Sequence, residues 1–117
     1  ERKVGDLVRQ AIPDAFVTLS VDVLPEIREY ERTSTTVINA YTGRIARDYL
    51  AGLYALLQKS GYDGPFMAMQ GYGGLLPASE AGERAVGMLE CGPAAGVIGS
   101  RRLGEVLGGV AQSELGY

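Results

Sequence analysis

The sequence predicts an α/β protein with a layered sheet and one long helix. The segment 33–60 carries apolar residues at helical spacings of three and four. Two short β-rich or apolar runs, at 16–20 and 65–70, are bounded by turn residues and are typical of strands. A further helix is predicted from Pro93 to about Leu107. The resulting order, α-β-α-β-(α)-β-α, favours helices layered on a sheet.

The N-terminal third is predicted to form a short helix, a strand and a loop. Apolar residues at helical spacing predict a helix over residues 1–12. Alternation and β-rich composition predict a strand over 16–20. Pro25 and the dense charged run from Glu26 to Arg32 indicate that residues 21–32 form a polar loop.

The long helix is the strongest local pattern in the chain. Thr33 or Ser34 is suited to cap its start, and Gly61 is suited to end it. Gly43 and Gly52 either weaken the helix or let another element pack close to it. Its apolar stripe comprises Ile38, Tyr41, Ile45, Tyr49, Leu53 and Leu56, widened by Val37, Ala46, Leu50 and Leu57.

Glycine residues separate the predicted elements of the C-terminal half. A strand over 65–70 is followed by a glycine loop at 71–74, a short helix over 78–85 and a weak strand over 86–89. The last helix is predicted to stop at the glycine pair 108–109.

Composition excludes several functions. The net charge of -3 and the lack of a basic run argue against nucleic-acid binding, and no apolar run is long enough to span a membrane. Histidine is absent and there is one cysteine, so a catalytic triad and a His or Cys metal site are excluded within the chain. The single cysteine fits a reducing compartment, and we expect a cytoplasmic protein.

Two glycine segments are candidate ligand sites, each with a structural alternative. A turn at Gly92 that leads into a helix at Pro93 would present free N–H groups to an anion. Alternatively, Gly92, Gly96 and Gly99 form a small-residue face for helix packing. The loop after the strand at 65–70 either binds a ligand beyond the strand end or is an ordinary glycine loop. Cys91 is either reactive or a small residue at a helix cap.

Three segments resemble the hydantoinase A/5-oxoprolinase family, in the same order and spacing. The first is the long run from Leu24 to Tyr41 (LPEIREYERTSTTVINAY). The second, Met69–Leu75 (MQGYGGL), is similar to the family's Met-Gln-Ser-Asn-Gly-Gly, with Gly71 and Tyr72 in place of Ser-Asn. The third, Cys91–Val97 (CGPAAGV), is similar to Ser-Gly-Pro-Ala-Ala-Gly-Val.

The resemblance implies a fold, a reaction and a set of site residues. The fold would be part of an actin-like/ribonuclease H-like ATPase domain, and residues 1–117 would be a single internal fragment that lacks the phosphate loops. The whole protein would use ATP and Mg²⁺ to open a cyclic amide, either a hydantoin or 5-oxoproline. The related acetone and acetophenone carboxylase subunits are the alternative. Candidate nucleotide-binding residues are Gly73, Gly74, Gly92, Pro93, Ala94 and Gly96, and candidate substrate-proximal residues are Glu29, Arg32 and Asn39.

The resemblance also implies what the fragment would do alone. No catalytic residue is identified, no metal site or cofactor is expected in the fragment, and we expect no turnover. Its partners would be the rest of the parent chain or a partner subunit, with the cyclic amide bound by the whole protein. Two further possibilities remain: a non-catalytic interaction module and a small domain with residual nucleotide affinity. A truncated sheet would expose edges and apolar surface, so self-association is expected.

Overall fold

The computed structural model describes residues 1–107 and is mainly helical. The helices predicted near 1–12, 33–60, 78–85 and 93–107 are all confirmed, with shifted bounds. The elements are α1 (Arg2–Ala11), α2 (Ser20–Val23), α3 (Glu29–Lys59), β1 (Met67–Met69), β2 (Leu75–Pro77), α4 (Ala78–Glu83), a 3-10 helix (Ala85–Met88) and α5 (Cys91–Val106). The predicted stop at the glycine pair 108–109 lies outside the described residues.

The sheet is smaller than predicted. β1 pairs with β2 in an antiparallel ribbon, with Ala68 opposite Leu76, and no other strand pairing occurs within residues 1–107. The strand predicted over 65–70 is thus confirmed in its centre, and the short β2 was missed. The described part of the chain holds a two-stranded ribbon where a layered sheet was expected. The actin-like ATPase class of a whole protein stays a prediction.

Two predicted strands are wrong. Residues 16–19 form no regular secondary structure, and α2 begins at Ser20, after Leu19 in β conformation. The weak strand over 86–89 is a 3-10 helix, with i+3 bonds from Gly87 N–H to the Arg84 carbonyl and from Leu89 N–H to the Val86 carbonyl. β-rich composition forms a strand only when a partner edge is available.

The long helix begins earlier than its predicted cap. α3 starts at Glu29, inside the segment predicted as a polar loop, and neither Thr33 nor Ser34 caps it. The Ser34 hydroxyl instead donates back to the Tyr30 carbonyl, 2.8 Å away. The C-terminal prediction is confirmed, because Gly61 has a φ of +88° and Tyr62 N–H donates to the Leu57 carbonyl.

α3 buries the face opposite much of its apolar stripe. Asn39, Gly43 and Leu50 are its buried residues. Gly43 faces the Phe16 ring so closely that a Cβ there would overlap it, which confirms the close approach predicted for that glycine. Leu50 forms a small core with buried Ala78 and Ala81 of α4, surrounded by Phe66, Ala68, Leu76 and Met88.

The predicted stripe therefore faces solvent over much of its length. Tyr41 is 82% exposed and Ile45 72% exposed, whereas Leu50 belongs to the core. Among residues 1–107, no helix is both long and apolar enough to cross a membrane.

Candidate functional site

The start of α5 differs from the predicted glycine turn. The helix begins at Cys91, so Pro93 is its third residue, and the preceding left-handed residue is Glu90 with a φ of +62°. Ala94 N–H is the first to bond within the helix, to the Glu90 carbonyl. Because proline has no N–H, this end offers the N–H groups of Cys91 and Gly92, which have no hydrogen-bond partner among the described residues.

The small-residue face of α5 is open. A Cβ placed on Gly92, Gly96 or Gly99 would meet nothing within 4 Å among the described residues. The packing alternative is therefore not realised by any contact within residues 1–107. These glycines leave the surface of α5 free for close approach by a ligand or another polypeptide.

The second glycine segment forms the turn of the β1–β2 ribbon and lies against α5. Gln70 N–H donates to the Gly74 carbonyl at 2.8 Å, and Gly73 N–H donates to the Gln70 carbonyl at 2.9 Å. Gly73 has a φ of +92°, and a Cβ there would lie 3.1 Å from Ile98 Cδ1. The structure thus brings Gly73 and Gly74 beside the helix that carries Gly92, Pro93, Ala94 and Gly96.

Gly71 is required by the backbone that surrounds it. Its N–H donates to the Gly87 carbonyl at 2.7 Å, and a Cβ at this position would overlap the Leu89 carbonyl oxygen. On this backbone, any residue with a Cβ at position 71 would collide with that oxygen. Gln70 beside it is 1% exposed and packs against Gly87, whereas Tyr72 is exposed.

Asn39 is a buried polar side chain with three hydrogen bonds to distant segments. It is 0% exposed. Its Nδ2 donates to Thr18 Oγ1 at 2.8 Å and to the Glu83 carbonyl at 2.9 Å, and its Oδ1 accepts from Val86 N–H at 3.1 Å. Both amide hydrogens are used by the fold. The structure thus gives Asn39 a buried place in the fold, and its assignment as a substrate-proximal residue stays a prediction.

Arg32 and Glu29 lie at the other end of α3. Arg32 donates through Nε to Ser20 Oγ at 2.6 Å and through Nη2 to Glu1 Oε2 at 2.9 Å. Hydrogen bonds from Ser20 and the positive charge of Arg32 lower the pKa of the Glu1 carboxyl, against a smaller opposing effect of desolvation. Arg32 therefore joins the starts of α1, α2 and α3. The Glu29 side chain is exposed and makes no hydrogen bond or ion pair within residues 1–107.

The 3-10 helix links Asn39 to the glycine turn. Val86 N–H is held by Asn39, and the next residue, Gly87, accepts from Gly71 N–H. Arg32 lies seven residues before Asn39 on α3, or about 10 Å along the axis at 1.5 Å per residue. The predicted site residues thus fall into three places: a buried link at Asn39, a separate polar cluster at Arg32, and a group around α5. We call the last the glycine group; it comprises Gly73, Gly74, Gly92, Pro93, Ala94 and Gly96.

The chemistry of the glycine group is that of binding. Within residues 1–107, no group of three or more Cys, Asp or Glu side chains is placed to hold a metal ion.

The residues that sequence reasoning missed are Thr18, Gln70 and Gly87. Thr18 and Gly87 lie inside predicted strands and Gln70 at the end of one, and periodicity does not report hydrogen bonds between distant segments.

Comparison with known proteins identifies the family. The sequence model of the hydantoinase/oxoprolinase family matches residues 32–116. The chain is 43% identical over 94 residues, or 80% of its length, to the caprolactamase subunit alpha of Pseudomonas jessenii. It is 37% identical over 107 residues, or 92% of its length, to an uncharacterised protein of Methanocaldococcus jannaschii. It is 31% identical over 122 aligned positions, or 99% of its length, to the acetone carboxylase beta subunit of Xanthobacter autotrophicus.

The chain spans 16%, 14% and 17% of the lengths of the M. jannaschii protein, the caprolactamase subunit and the acetone carboxylase subunit. No solved structure matches it. The family match begins at Arg32 and includes the buried Asn39, the β1–β2 turn and α5. This chain belongs to the hydantoinase/oxoprolinase family.

Proposed function

We propose that the chain is a segment of an ATP-dependent enzyme that opens a cyclic amide. The observation that carries this proposal is its 43% identity to a caprolactamase subunit, since caprolactam is itself a cyclic amide. The identity to the acetone carboxylase subunit is lower, at 31%. Hydantoins and 5-oxoproline, the substrates that the sequence motifs suggested, contain the same amide bond within a ring.

The glycine group is our candidate for one wall of the nucleotide site. It offers two N–H groups at the start of α5 that have no partner within residues 1–107, and an open helix surface at Gly92 and Gly96, beside the turn at Gly73 and Gly74. Backbone N–H groups at a helix N-terminus suit a phosphate. Mg²⁺ requires several oxygen ligands, and the described residues do not provide a cluster of them. We therefore assign the metal and the chemical step to other parts of a longer protein.

The isolated chain tests the binding part of this proposal. We expect no ATP hydrolysis and no ring opening from purified residues 1–117, and weak or no heat on calorimetric titration with ATP, ADP or AMP. Gly92→Val is the control, because a side chain at this open position would block a ligand without touching the rest of the fold. Turnover above that of Gly92→Val would contradict the proposal that other parts of a longer protein hold the metal and carry out the chemical step.

A segment exchange tests the reaction. This chain would replace the matching segment of the caprolactamase subunit, and a second exchange would be made in the acetone carboxylase subunit. We expect ATP-dependent lactam hydrolysis to survive in the first hybrid within about tenfold, a loss of about 1.4 kcal/mol of transition-state stabilisation. The same hybrid carrying Gly92→Val should assemble equally well, as judged by gel filtration, but lose activity.

A carboxylase subunit is the second candidate function. The identities to the acetone and acetophenone carboxylase subunits, at 31% and 30%, support it. If the carboxylase hybrid retains activity and the assembled lactamase hybrid does not, the carboxylase assignment replaces the first. A cytoplasmic location remains part of either proposal.

A further inference from the structure

The exposed side of α3 is a long apolar surface with one regular arrangement. Along it lie six large apolar side chains and two small residues, in steps of four, three, four, four, four, three and four. These spacings keep all eight on one side of a helix, since each residue advances the helix by roughly 100°. We call this surface the tyrosine face; it comprises Tyr30, Ser34, Val37, Tyr41, Ile45, Tyr49, Gly52 and Leu56.

The tyrosine face has no partner within residues 1–107. All six of its large side chains are exposed, including Tyr30 and Tyr41 at 82%. A Cβ on Gly52 would meet nothing within 4 Å. The chain measures only 17 Å in its smallest dimension, and its radius of gyration of 17.9 Å exceeds the value of about 13 Å for a compact domain of about 100 residues. The fold is thus open on this side.

The spacing of the tyrosine face is palindromic about position 43. Reversing the helix places Tyr30 at the level of Leu56, Val37 at that of Tyr49, and Tyr41 at that of Ile45. It also places Ser34 at the level of Gly52, so that the two small positions meet. We propose that the tyrosine face binds a second copy of this chain, with the two α3 helices antiparallel about a two-fold axis near position 43.

The area of the face fits such an interface. A fully buried aromatic side chain removes about 150–250 Å² from water. The three tyrosines, with the three large aliphatic residues, therefore offer on the order of 800 Å² per copy, the share of one partner in a standard interface. A monomer rarely leaves an apolar patch larger than a few hundred Å² in water.

Charges do not oppose this arrangement. The same side of α3 also carries Glu31, Ile38, Asp48 and Ala55. Reversing the helix places Asp48 at the level of Ile38 and Glu31 at the level of Ala55, so no two acidic side chains meet. The Asp48 carboxylate is already compensated, because it lies 4.0 Å from Arg44 Nε and 3.6 Å from Arg47 Nε. The competing occupant is another part of a longer polypeptide, since the relatives are several times the length of this chain.

Sedimentation equilibrium of the 117-residue chain over the micromolar range tests the association. We expect a reversible dimer, and we expect Ile45→Glu to weaken association at least a hundredfold. Val97→Glu on α5 is the matched control, because Val97 and Ile45 are both 72% exposed. Circular dichroism checks that both variants keep their helices. The proposal would be overturned if the unsubstituted 117-residue chain stays monomeric, or if the two substitutions have equal effects.

Cross-linking tests the antiparallel register. In a Cys91→Ala background, the double variant Ser34→Cys and Gly52→Cys should form intermolecular disulfides on mild oxidation. Ser34→Cys alone should not, because the two copies of position 34 would be about 27 Å apart along the axis at 1.5 Å per residue. Efficient cross-linking of the single variant would indicate parallel helices, and failure of the double variant would exclude the palindromic register; either result overturns the proposal.

Discussion

Replacement of Asn39 by alanine tests whether one buried amide holds the described fold together. Asn39 is fully buried and makes three hydrogen bonds, of 2.8, 2.9 and 3.1 Å, to Thr18, Glu83 and Val86. Each net hydrogen bond is worth about 0.5–1.5 kcal/mol, and partners left buried without water cost more. Alanine also recovers up to about 0.7 kcal/mol of helix propensity. We therefore expect a net loss of about 2–3 kcal/mol.

Urea denaturation followed by circular dichroism measures this loss. With a slope of about 1–3 kcal/mol per molar urea, the midpoint should fall by about 1–2 M. Thr42→Ala is the control on the same helix, because within residues 1–107 the Thr42 hydroxyl bonds only to the Ile38 carbonyl of α3. Its effect should remain within about 0.5 kcal/mol. A loss below about 1 kcal/mol for Asn39→Ala would refute the structural role assigned to this residue.

Asn39→Asp separates hydrogen bonding from packing. The introduced carboxyl has almost the same shape and still accepts from Val86 N–H, but when ionised it cannot donate to Thr18 or Glu83. Burial should raise its pKa above the unfolded value. The loss of stability should therefore be smallest below the unfolded pKa and grow as the pH rises through the folded pKa. A loss that does not change with pH would indicate that packing alone matters at this site.

Three further substitutions test contacts elsewhere in the fold. Gly43→Ala should destabilise the chain in urea, because its Cβ would overlap the Phe16 ring. Gly52→Ala, at an open helical position, should instead stabilise the chain by about 0.5–1 kcal/mol. Equal effects of the two substitutions would contradict the packing of α3. Glu1→Gln tests the lowered pKa of the Glu1 carboxyl, which arises first from its hydrogen bond with Ser20. The ionised carboxyl stabilises the fold above its unfolded pKa, and this contribution is lost as the pH falls through the folded pKa. Acid denaturation should therefore become less steep in Glu1→Gln, and unchanged steepness would argue against the contact.

The long helix shows how far periodicity reaches. Apolar spacing predicted α3, and its C-terminal end at Gly61 was confirmed. The same spacing marked an apolar stripe through Tyr41 and Ile45, yet the buried face is the one with Asn39 and Gly43. Periodicity reports that a face is apolar but not what covers it. Polar and small residues on the buried side gave no hydrophobic signal.

The candidate site shows a similar limit. The motif positions marked Gly73 and Gly92 as candidate nucleotide-binding residues. The contact between Gly73 and Ile98 places the turn and α5 side by side. The left-handed residue before α5 is Glu90, however, which sequence rules do not expect in that conformation. The 3-10 helix that supports the turn was predicted as a strand. Its hydrogen bonds to Asn39 and Gly71 join distant segments, so the local sequence pattern does not reveal them.

The three bonds of Asn39 also predict an order of events during folding. They close sequence separations of 21, 44 and 47 residues through one side chain. The entropic cost of closing a loop must be met before such bonds can form, so they should appear only after α3 has formed and α4 has docked. Interactions absent from the transition state act mainly on the unfolding rate. In stopped-flow experiments, the bonds of Asn39 should therefore slow unfolding while leaving the rate of folding nearly unchanged.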